Sequence, residues 1–507
     1  MIAEYFHREK RAAALAVGLI AVAGLAAFRT IPRQEDPALA RRFGDIVVHY
    51  PGATADRVEA LVTDKIEKAV QELHEVDEIE SISRTGQSVV FVALEDPYGE
   101  EDVDEIWSRL RDKLADVARE LPAGASEPEF TDKTSTAITL LVGLTWELAG
   151  EPQLALLSRL AEELESRLRV LPGTKETDLY GEASEELRVT VDPLRLADIG
   201  LDAAAVARAI GGADTRRPAG QLRKSAAAMP LEVDGSLTSV ERVRRVPLLT
   251  DDGGRVLRVG DVAVVEKTRV DPPRTVAVLA GARGVAVSAT MQPSSGRVDV
   301  WAATARDVVE TFRAEVPPGV GYRILFDQSR YTDERLGTLG RNLAIGAAIV
   351  VAVLFVMMGT RAALIVATAL PLTLAAVLAE LKVAGIPLHQ ISVTGLILAL
   401  GLLIDNAIVV VDEYELRLRR GATTPQAIRE VVRDLAGPLA ASTLTTVLAF
   451  LPIALMPGPA GEFVGAIAIG VGLSVTTSFA LSITLILAFA GWFISPLSER
   501  PPAAGAH

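Results

Sequence analysis

The chain has 507 residues, with 51 Lys and Arg against 65 Asp and Glu, a formal net charge of −14. An acidic chain gains nothing by neutralising phosphates, which argues against nucleic-acid binding, and the absence of Cys rules out disulfides, thiolate metal sites and Cys nucleophiles. Half of the residues are hydrophobic and only 5% aromatic. The mean hydropathy of +0.31 points to membrane spans rather than to a soluble protein alone. Neither a P-loop nor a nucleophile-elbow string is written in the chain.

The first charge-free apolar run, Ala12–Phe28, follows Arg8, Lys10 and Arg11. It covers about 26 Å at 1.5 Å per residue, enough to span a bilayer. Arg29-Thr-Ile-Pro-Arg33 is a poor small-residue cleavage site, so the run reads as a retained anchor and not as a cleaved leader.

The next part of the chain alternates strand and helix patterns. Ile46–Tyr50 reads as a strand, Pro51-Gly52 as a turn, and Val58, Leu61, Val62, Ile66, Ala69, Val70 and Leu73 fall at helical spacing. Strands at Val76–Arg84 and Ser88–Leu94, a helix at Val103–Leu121 and a strand at Glu127–Thr131 complete a βαββαβ unit, the ferredoxin-like split pattern. The order then starts again: strand Ala137–Trp146, helix Gln153–Val170, strand Lys175–Tyr180, and later strand Thr275–Met291, helix Arg297–Val316 and strand Gly321–Phe326. Residues 182–272 interrupt this second repeat with a strand at Leu187–Val191 and a helix opened by the capping-box pattern Thr238-Ser-Val-Glu241. They read as an inserted subdomain. A single irregular α+β domain is the alternative.

Five more apolar spans crowd into the last third: Leu343–Met358, Ala362–Leu378, Ile391–Val411, Leu439–Met456 and Val464–Ile494. Basic residues before the first span, at Arg361 and at Arg417–Arg433 mark cytoplasmic loops. Six spans with both termini in the cytoplasm then place residues 32–338 outside.

The fourth span carries Asp405-Asn406 between apolar turns. A charged Asp at mid-bilayer costs at least about 2.5–3.5 kcal/mol, a cost that falls if the group protonates, lines water or meets a cation. A carboxyl that is neutral in one state and charged in another is what proton coupling requires; a structural interhelical hydrogen bond is the competing reading. Asn406 cannot titrate but can orient its neighbour or bond across helices. Asp412 and Glu413 read as a solvated helix end, Glu380 and Lys382 as snorkelling groups at the outer end of the third span, and Pro371 and Pro452 as kinks. The five His are scattered, so no metal site is expected, and neither are a cofactor or a catalytic residue.

Three strings, in this order, carry a resemblance: Ile31-Pro-Arg-Gln-Glu-Asp-Pro37 after the first span, Tyr50-Pro-Gly-Ala-Thr-Ala-Asp-Arg-Val-Glu59, and Gly401-Leu-Leu-Ile-Asp-Asn-Ala-Ile-Val-Val-Val-Asp-Glu413. The chain resembles the N-terminal half of the resistance-nodulation-division (RND) transporters, proton-driven efflux pumps of the bacterial inner membrane, of the acriflavine-resistance/hydrophobe or heavy-metal type. The resemblance implies two porter subdomains matching the two repeats and a docking subdomain matching the insertion. It implies a proton relay at Asp405 and Asn406, with a partner lysine that comes from the other half of such pumps. It also implies substrate contacts at Ile138, where the drug pumps place Phe, and at Tyr180.

The expected organisation is a cytoplasmic N-terminus and first transmembrane helix (1–31), a first porter subdomain (32–134), a split second one (135–181 and 273–335), the docking insertion (182–272), a six-span helical bundle completed by 336–495, and a cytoplasmic tail (496–507). The expected function is that of an inner-membrane subunit exporting small molecules or ions by proton antiport. Its expected partners are a second RND half, as a separate chain or by self-association, a trimeric assembly, a periplasmic adaptor and outer-membrane channel, and the lipid bilayer. A non-transporting accessory or assembly subunit, or a fragment of a split pump gene, is the alternative.

Overall fold

The computed structural model describes residues 2–494 apart from 38, 133–136, 225–226, 251–255, 271–272, 274 and 293–295. The tail expected at 496–507 lies outside the described residues. Six helices are long and apolar enough to cross a membrane. The first, α1 (Lys10–Thr30), leads into a large extramembrane α+β region, and the other five follow that region.

The first extramembrane unit runs β1 (Phe43–His49), α2 (Ala55–Val58, a π-turn at Glu59–Thr63, then Asp64–Gln71), β2 (Val76–Arg84), β3 (Gln87–Leu94), α3 (Glu100–Ala118) and β4 (Glu129–Thr131). The strands form an antiparallel sheet in the order β2-β3-β1-β4. Ile46 and Val48 on β1 and Val90, Val92 and Leu94 on β3 alternate onto one face, because side chains two apart along a strand point the same way. That face meets Val62, Ile66 and Val70 of α2 and Trp107 and Leu110 of α3 in a single core.

The second unit repeats the plan with β5 (Leu140–Trp146), α4 (Leu154–Arg169), β6 (Thr174–Tyr180), β13 (Ala277–Leu279), β14 (Ala282–Met291), α5 (Val298–Glu315) and β15 (Val320–Asp327). Its order, β6-β14-β5-β15, is that of the first unit. The strand expected over Thr275–Met291 is in fact a hairpin. The chain turns at Ala280 and Gly281, both at positive φ, so β13 pairs back on the first residues of β14 while β6 takes the rest of that edge. Alternation alone cannot register such a turn when apolar residues flank it on both sides. The core of this unit is separate from the first.

Between β6 and β13 come β7 (Glu185–Val191), helices Pro193–Asp198 and Ala203–Ala213, the ribbon β8 (Arg216–Lys224) and β9 (Ala227–Asp234), helix Val240–Arg244, β10 (Pro247–Thr250), β11 (Val256–Arg258) and β12 (Ala263–Arg269). β7 and β12 pair with each other, so the segment leaves and re-enters the second unit on adjacent strands. It has a small core of its own around Val206, Val243, Val259 and Val265. The capping residue of helix Val240–Arg244 is Ser239, whose Oγ accepts from Arg242 N at 3.2 Å, one residue later than the pattern Thr238–Glu241 suggested.

The spanning helices that follow are α6 (Gln328–Met358), α7 (Thr360–Val383), α8 (Gln390–Arg419), α9 (Thr424–Ala454) and α10 (Gly458–Leu481), which continues through a π-turn at Ser482–Ile486 to Leu487–Phe493. Several exceed the charge-free runs. α6 begins 15 residues before Leu343, because the polar stretch Gln328–Asn342 continues the helix without adding to the hydropathy signal. Pro371 and Pro452 lie inside helices, as expected, and so does Pro438. α7, α8 and α10 form the inner layer; α1, α6 and α9 lie outside it. Gly24 of α1 sits so close to Ala375 of α7 that a Cβ would stand 2.6 Å from its backbone oxygen, the close approach small residues allow between membrane helices.

The extramembrane region is tied to the bundle by the segment after α1. Pro32 O accepts from Leu388 N at 2.8 Å, Leu388 O from Gln34 N at 3.2 Å, and Arg33 O from Val298 N at 3.1 Å. This short extended stretch therefore joins the α7–α8 loop to the head of α5.

Candidate functional site

α8 is packed by its neighbours on most of its circumference. Leu403, Ile404, Ala407, Val410, Val411 and Tyr414 are buried against α7, α9 and α10. The remaining face is open. It runs through Leu398, Gly401, Asp405, Val409, Asp412 and Leu416, spaced three or four residues apart, one helical stripe. A Cβ at Gly401 would meet nothing. Asp405 therefore projects out of the bundle, and among the described residues it has no ion pair or hydrogen bond. Asn406, one position on, turns about 100° round the helix and is buried. The two residues read as a pair in the sequence point in different directions.

Asp412, two turns below Asp405, shares its stripe and is exposed. Glu413 is held by Arg417, whose Nε donates to it at 2.6 Å and whose Nη1 and Nη2 donate to Glu430 and Asp434 at 3.1 Å each. This cluster joins α8 to α9 at the end of the bundle opposite the α+β region, as a charged helix end would.

The two residues singled out for substrate contact lie apart. Tyr180, at the end of β6, pairs with Ala286 and is exposed. Ile138 precedes β5, next to Thr139, whose Oγ1 accepts from Met291 N at 3.0 Å. Ala286 and Met291 are five positions apart on β14, roughly 17 Å at about 3.3 Å per residue. Neither residue is among those that line the two nearby clefts, although the chain neighbours of each are. Next to Tyr180, Leu179, Gly181 and Glu182 with Arg188, Arg269 and Arg283 enclose about 530 Å³ where the second unit meets the insertion. Next to Ile138, Ala137, Thr139, Lys175 and Met291 with Gln34 and Phe463 enclose about 350 Å³ between the α+β region and the head of α10.

A profile of the AcrB/AcrD/AcrF family matches residues 2–504. The chain belongs to this family. It is thereby a member of the RND transporter superfamily. Among its relatives are an uncharacterized transporter of Haemophilus influenzae, 24% identical over 92% of this chain and 45% of its own length, and the multidrug resistance protein MdtC of Pectobacterium carotovorum, 24% identical with the same coverage. MdtC of Salmonella newport is 24% identical over 96% of this chain and 47% of its own length. The chain thus spans less than half the length of these relatives.

In this family member two contacts escaped sequence reading. Arg42 meets Glu462 across a separation of 420 residues. Glu380, taken as snorkelling, instead turns into the bundle: Thr477 Oγ1 of α10 lies 2.8 Å from each of its carboxyl oxygens. Lys382 does reach the rim, donating to Thr30 at the end of α1 at 2.5 Å. A spacing pattern cannot separate these two cases, since both residues occupy the last turn of one helix. Among the described residues no group of three or more His, Asp or Glu is placed to hold a metal ion.

Proposed function

We propose that this chain is one half of a proton-coupled RND exporter of the inner membrane, moving small molecules or ions outward by antiport. The observation that carries the reading is the open stripe of α8: a carboxylate in a membrane-spanning helix, aimed away from the chain's own bundle. An unpaired Asp facing lipid is costly, so the stripe calls for a cover. A second RND half, from a separate chain or a second copy, would bring the cation that this chain does not offer Asp405. The relatives, about twice as long, fit that reading.

In this reading Asp405 takes a proton from the outer side and releases it inside. Gain and loss of its charge change the packing of α8 against the covering half and rock the α+β region between access states. Asn406, buried beside it, orients the helix without titrating. The repeated strand order supports reading residues 32–134 and 135–181 with 273–335 as ferredoxin-like porter subdomains, and the pairing of β7 with β12 supports 182–272 as a docking insertion. Both termini are cytoplasmic and residues 32–335 periplasmic. A trimer joined to a periplasmic adaptor and an outer-membrane channel is the assembly the family membership suggests.

For substrate, Tyr180 and Ile138 stand near two successive clefts rather than in one pocket. Arg269 and Arg283 near Tyr180, with Arg188 already held by Glu186, favour a polar or acidic cargo there over a purely aromatic one. This agrees better with a hydrophobe-type pump that also accepts charged groups than with a heavy-metal pump, which would need soft or carboxylate ligands.

The test is substrate-dependent proton flux in proteoliposomes holding the chain together with its second half. Asp405→Asn abolishes coupled flux while leaving insertion intact, and Asp412→Asn has little effect. Undiminished flux in Asp405→Asn would remove Asp405 from the mechanism. Flux absent from the unaltered complex would favour an accessory role.

A further inference from the structure

We propose that Glu380 and Thr477 form a second proton-binding position inside the membrane bundle, separate from Asp405. Thr477 Oγ1 stands 2.8 Å from both Oε1 and Oε2 of Glu380. One hydroxyl has one hydrogen and can donate fully to only one of those oxygens. The second contact becomes a full hydrogen bond when Glu380 itself carries a proton: its O–H donates to Thr477 Oγ1 while the Thr477 O–H donates to the carbonyl oxygen. The paired geometry is that of a carboxylic acid with an alcohol. An ionised carboxylate in this place would have one neutral donor and no counter-ion, which membrane interiors disfavour.

The surroundings agree. Glu380, in the last turn of α7, is half-buried; Val377 and Leu381 beside it are fully buried, and Leu473 of α10 packs against them. The charged and titratable groups on the elements packed round α7 are Lys10, Arg11 and Arg29 of α1, Arg330, Tyr331, Asp333, Glu334, Arg335 and Arg341 of α6, Asp405, Asp412, Glu413, Tyr414, Glu415, Arg417 and Arg419 of α8 with His389 just before it, and Glu462 of α10, with Arg361 and Lys382 on α7 itself. Among the described residues none of them is bonded or ion-paired to Glu380. Glu462 is taken by Arg42 and Lys382 by Thr30. Asp405 faces the open stripe.

The position lies on a polar seam. Thr373, seven residues before Glu380 on the same side of α7, and Ser474 and Ser482 on α10 are buried with hydroxyls that have no partner. Ser478, next to Thr477, donates to Leu403 O on α8, two residues before Asp405. α10 leaves α-helical register at Ser482, where the π-turn begins, a feature often found at functional sites. Protonation of Glu380 thus holds α7 to α10, and the same stretch of α10 grips the helix that carries Asp405. Loss of the proton breaks the reciprocal bond and loosens that grip. This inference does not depend on Asp405 carrying protons.

The test uses the full chain in lipid vesicles, without a second half, read by infrared difference spectroscopy at neutral pH. The unaltered chain shows a carboxylic-acid C=O band that Glu380→Gln removes, Asp405→Asn keeps and Thr477→Val shifts in frequency. Loss of an ionised-carboxylate band in Glu380→Gln, with the acid region unchanged, would overturn the proposal. So would a carboxylate band that moves when sodium replaces potassium, which would make the position a cation site. If Glu380→Gln does not insert, Glu380→Asp retains the acid: the band moves if it belongs to Glu380, and an unmoved band overturns the assignment.

Discussion

Arg42 and Glu462 form a bidentate ion pair that clamps the first α+β unit onto the head of α10. Arg42 Nη2 donates to Glu462 Oε1 at 2.5 Å and Nη1 to Oε2 at 3.2 Å, while Nη2 also reaches Tyr98 O at 2.6 Å. Ala40 N adds a bond to Oε2 at 2.9 Å. The arginine side chain is 3% exposed and the glutamate 27%. A pair so enclosed is screened little by salt, and removing one partner strands the other. Any motion of α10 is therefore passed to the unit that contains β1 and β3.

Breaking this clamp is the first expectation. Glu462→Ala leaves Arg42 buried without its counter-ion and should destabilise the chain by about 2–3 kcal/mol. Combining it with Arg42→Leu should recover part of the loss, since the stranded charge is then gone. Thermal unfolding of the full chain in detergent reads both. Strictly additive losses would mean that the pair is not coupled.

His389 sets an acid limit. It precedes α8 and caps it, its Nδ1 accepting from Ser392 N at 3.2 Å. Burial pushes its pKa down to about 4 from 6.5, with Asp36 opposing. The neutral ring is the form the fold requires. Its contribution is fully present above about pH 6.5 and is lost as pH falls toward about 4, a window worth about 3 kcal/mol. His389→Asn keeps a capping acceptor without a titrating group. The unaltered chain should lose more Tm than His389→Asn on acidification through that window. Identical acid profiles would assign the sensitivity elsewhere.

The α+β region should fold without the membrane. Its three apolar cores draw on residues between Ala40 and Ile324 and borrow nothing from the spanning helices. The segment 32–335, expressed alone, should be soluble and melt cooperatively. Trp107, fully buried with its indole donating to Arg41 O at 2.8 Å, is the sensitive point. Trp107→Ala should cost that segment about 3–5 kcal/mol in urea unfolding. A loss under about 1 kcal/mol would contradict the packing described.

Orientation is open to direct chemistry because the chain has no Cys. Single Cys residues at Ser236 in the insertion and Thr424 at the head of α9 lie at opposite ends of the molecule. An impermeant thiol reagent on intact spheroplasts should label Ser236→Cys alone, and Thr424→Cys only after permeabilisation. The reverse pattern would invert the topology.

Much of this was legible in residue patterns. The β1 alternation around Ile46 and Val48 identified the strand and its buried face, because a period of two can serve only one face of a sheet. The helical spacing from Val58 to Leu73 was equally explicit, although the π-turn at Glu59–Thr63 within it was not. The hairpin at Ala280-Gly281 was read as one long strand. Glu380 was read by its place near a helix end, and its direction was missed, since direction depends on which helix stands beside it.

The sequence alone determined that six apolar helices bracket a twice-repeated α+β region, and that Asp405 stands among apolar turns. These are local properties: hydropathy over some twenty residues, alternation over seven, the cost of a charge in hydrocarbon. Only the tertiary structure decided that Asp405 faces outward while Asn406 faces in, that Tyr180 and Ile138 lie apart, that Arg42 meets Glu462, and that Glu380 meets Thr477. Each depends on contacts between segments far apart in the chain. A helical period says which residues share a face, but what that face meets is set by the packing of the other helices around it.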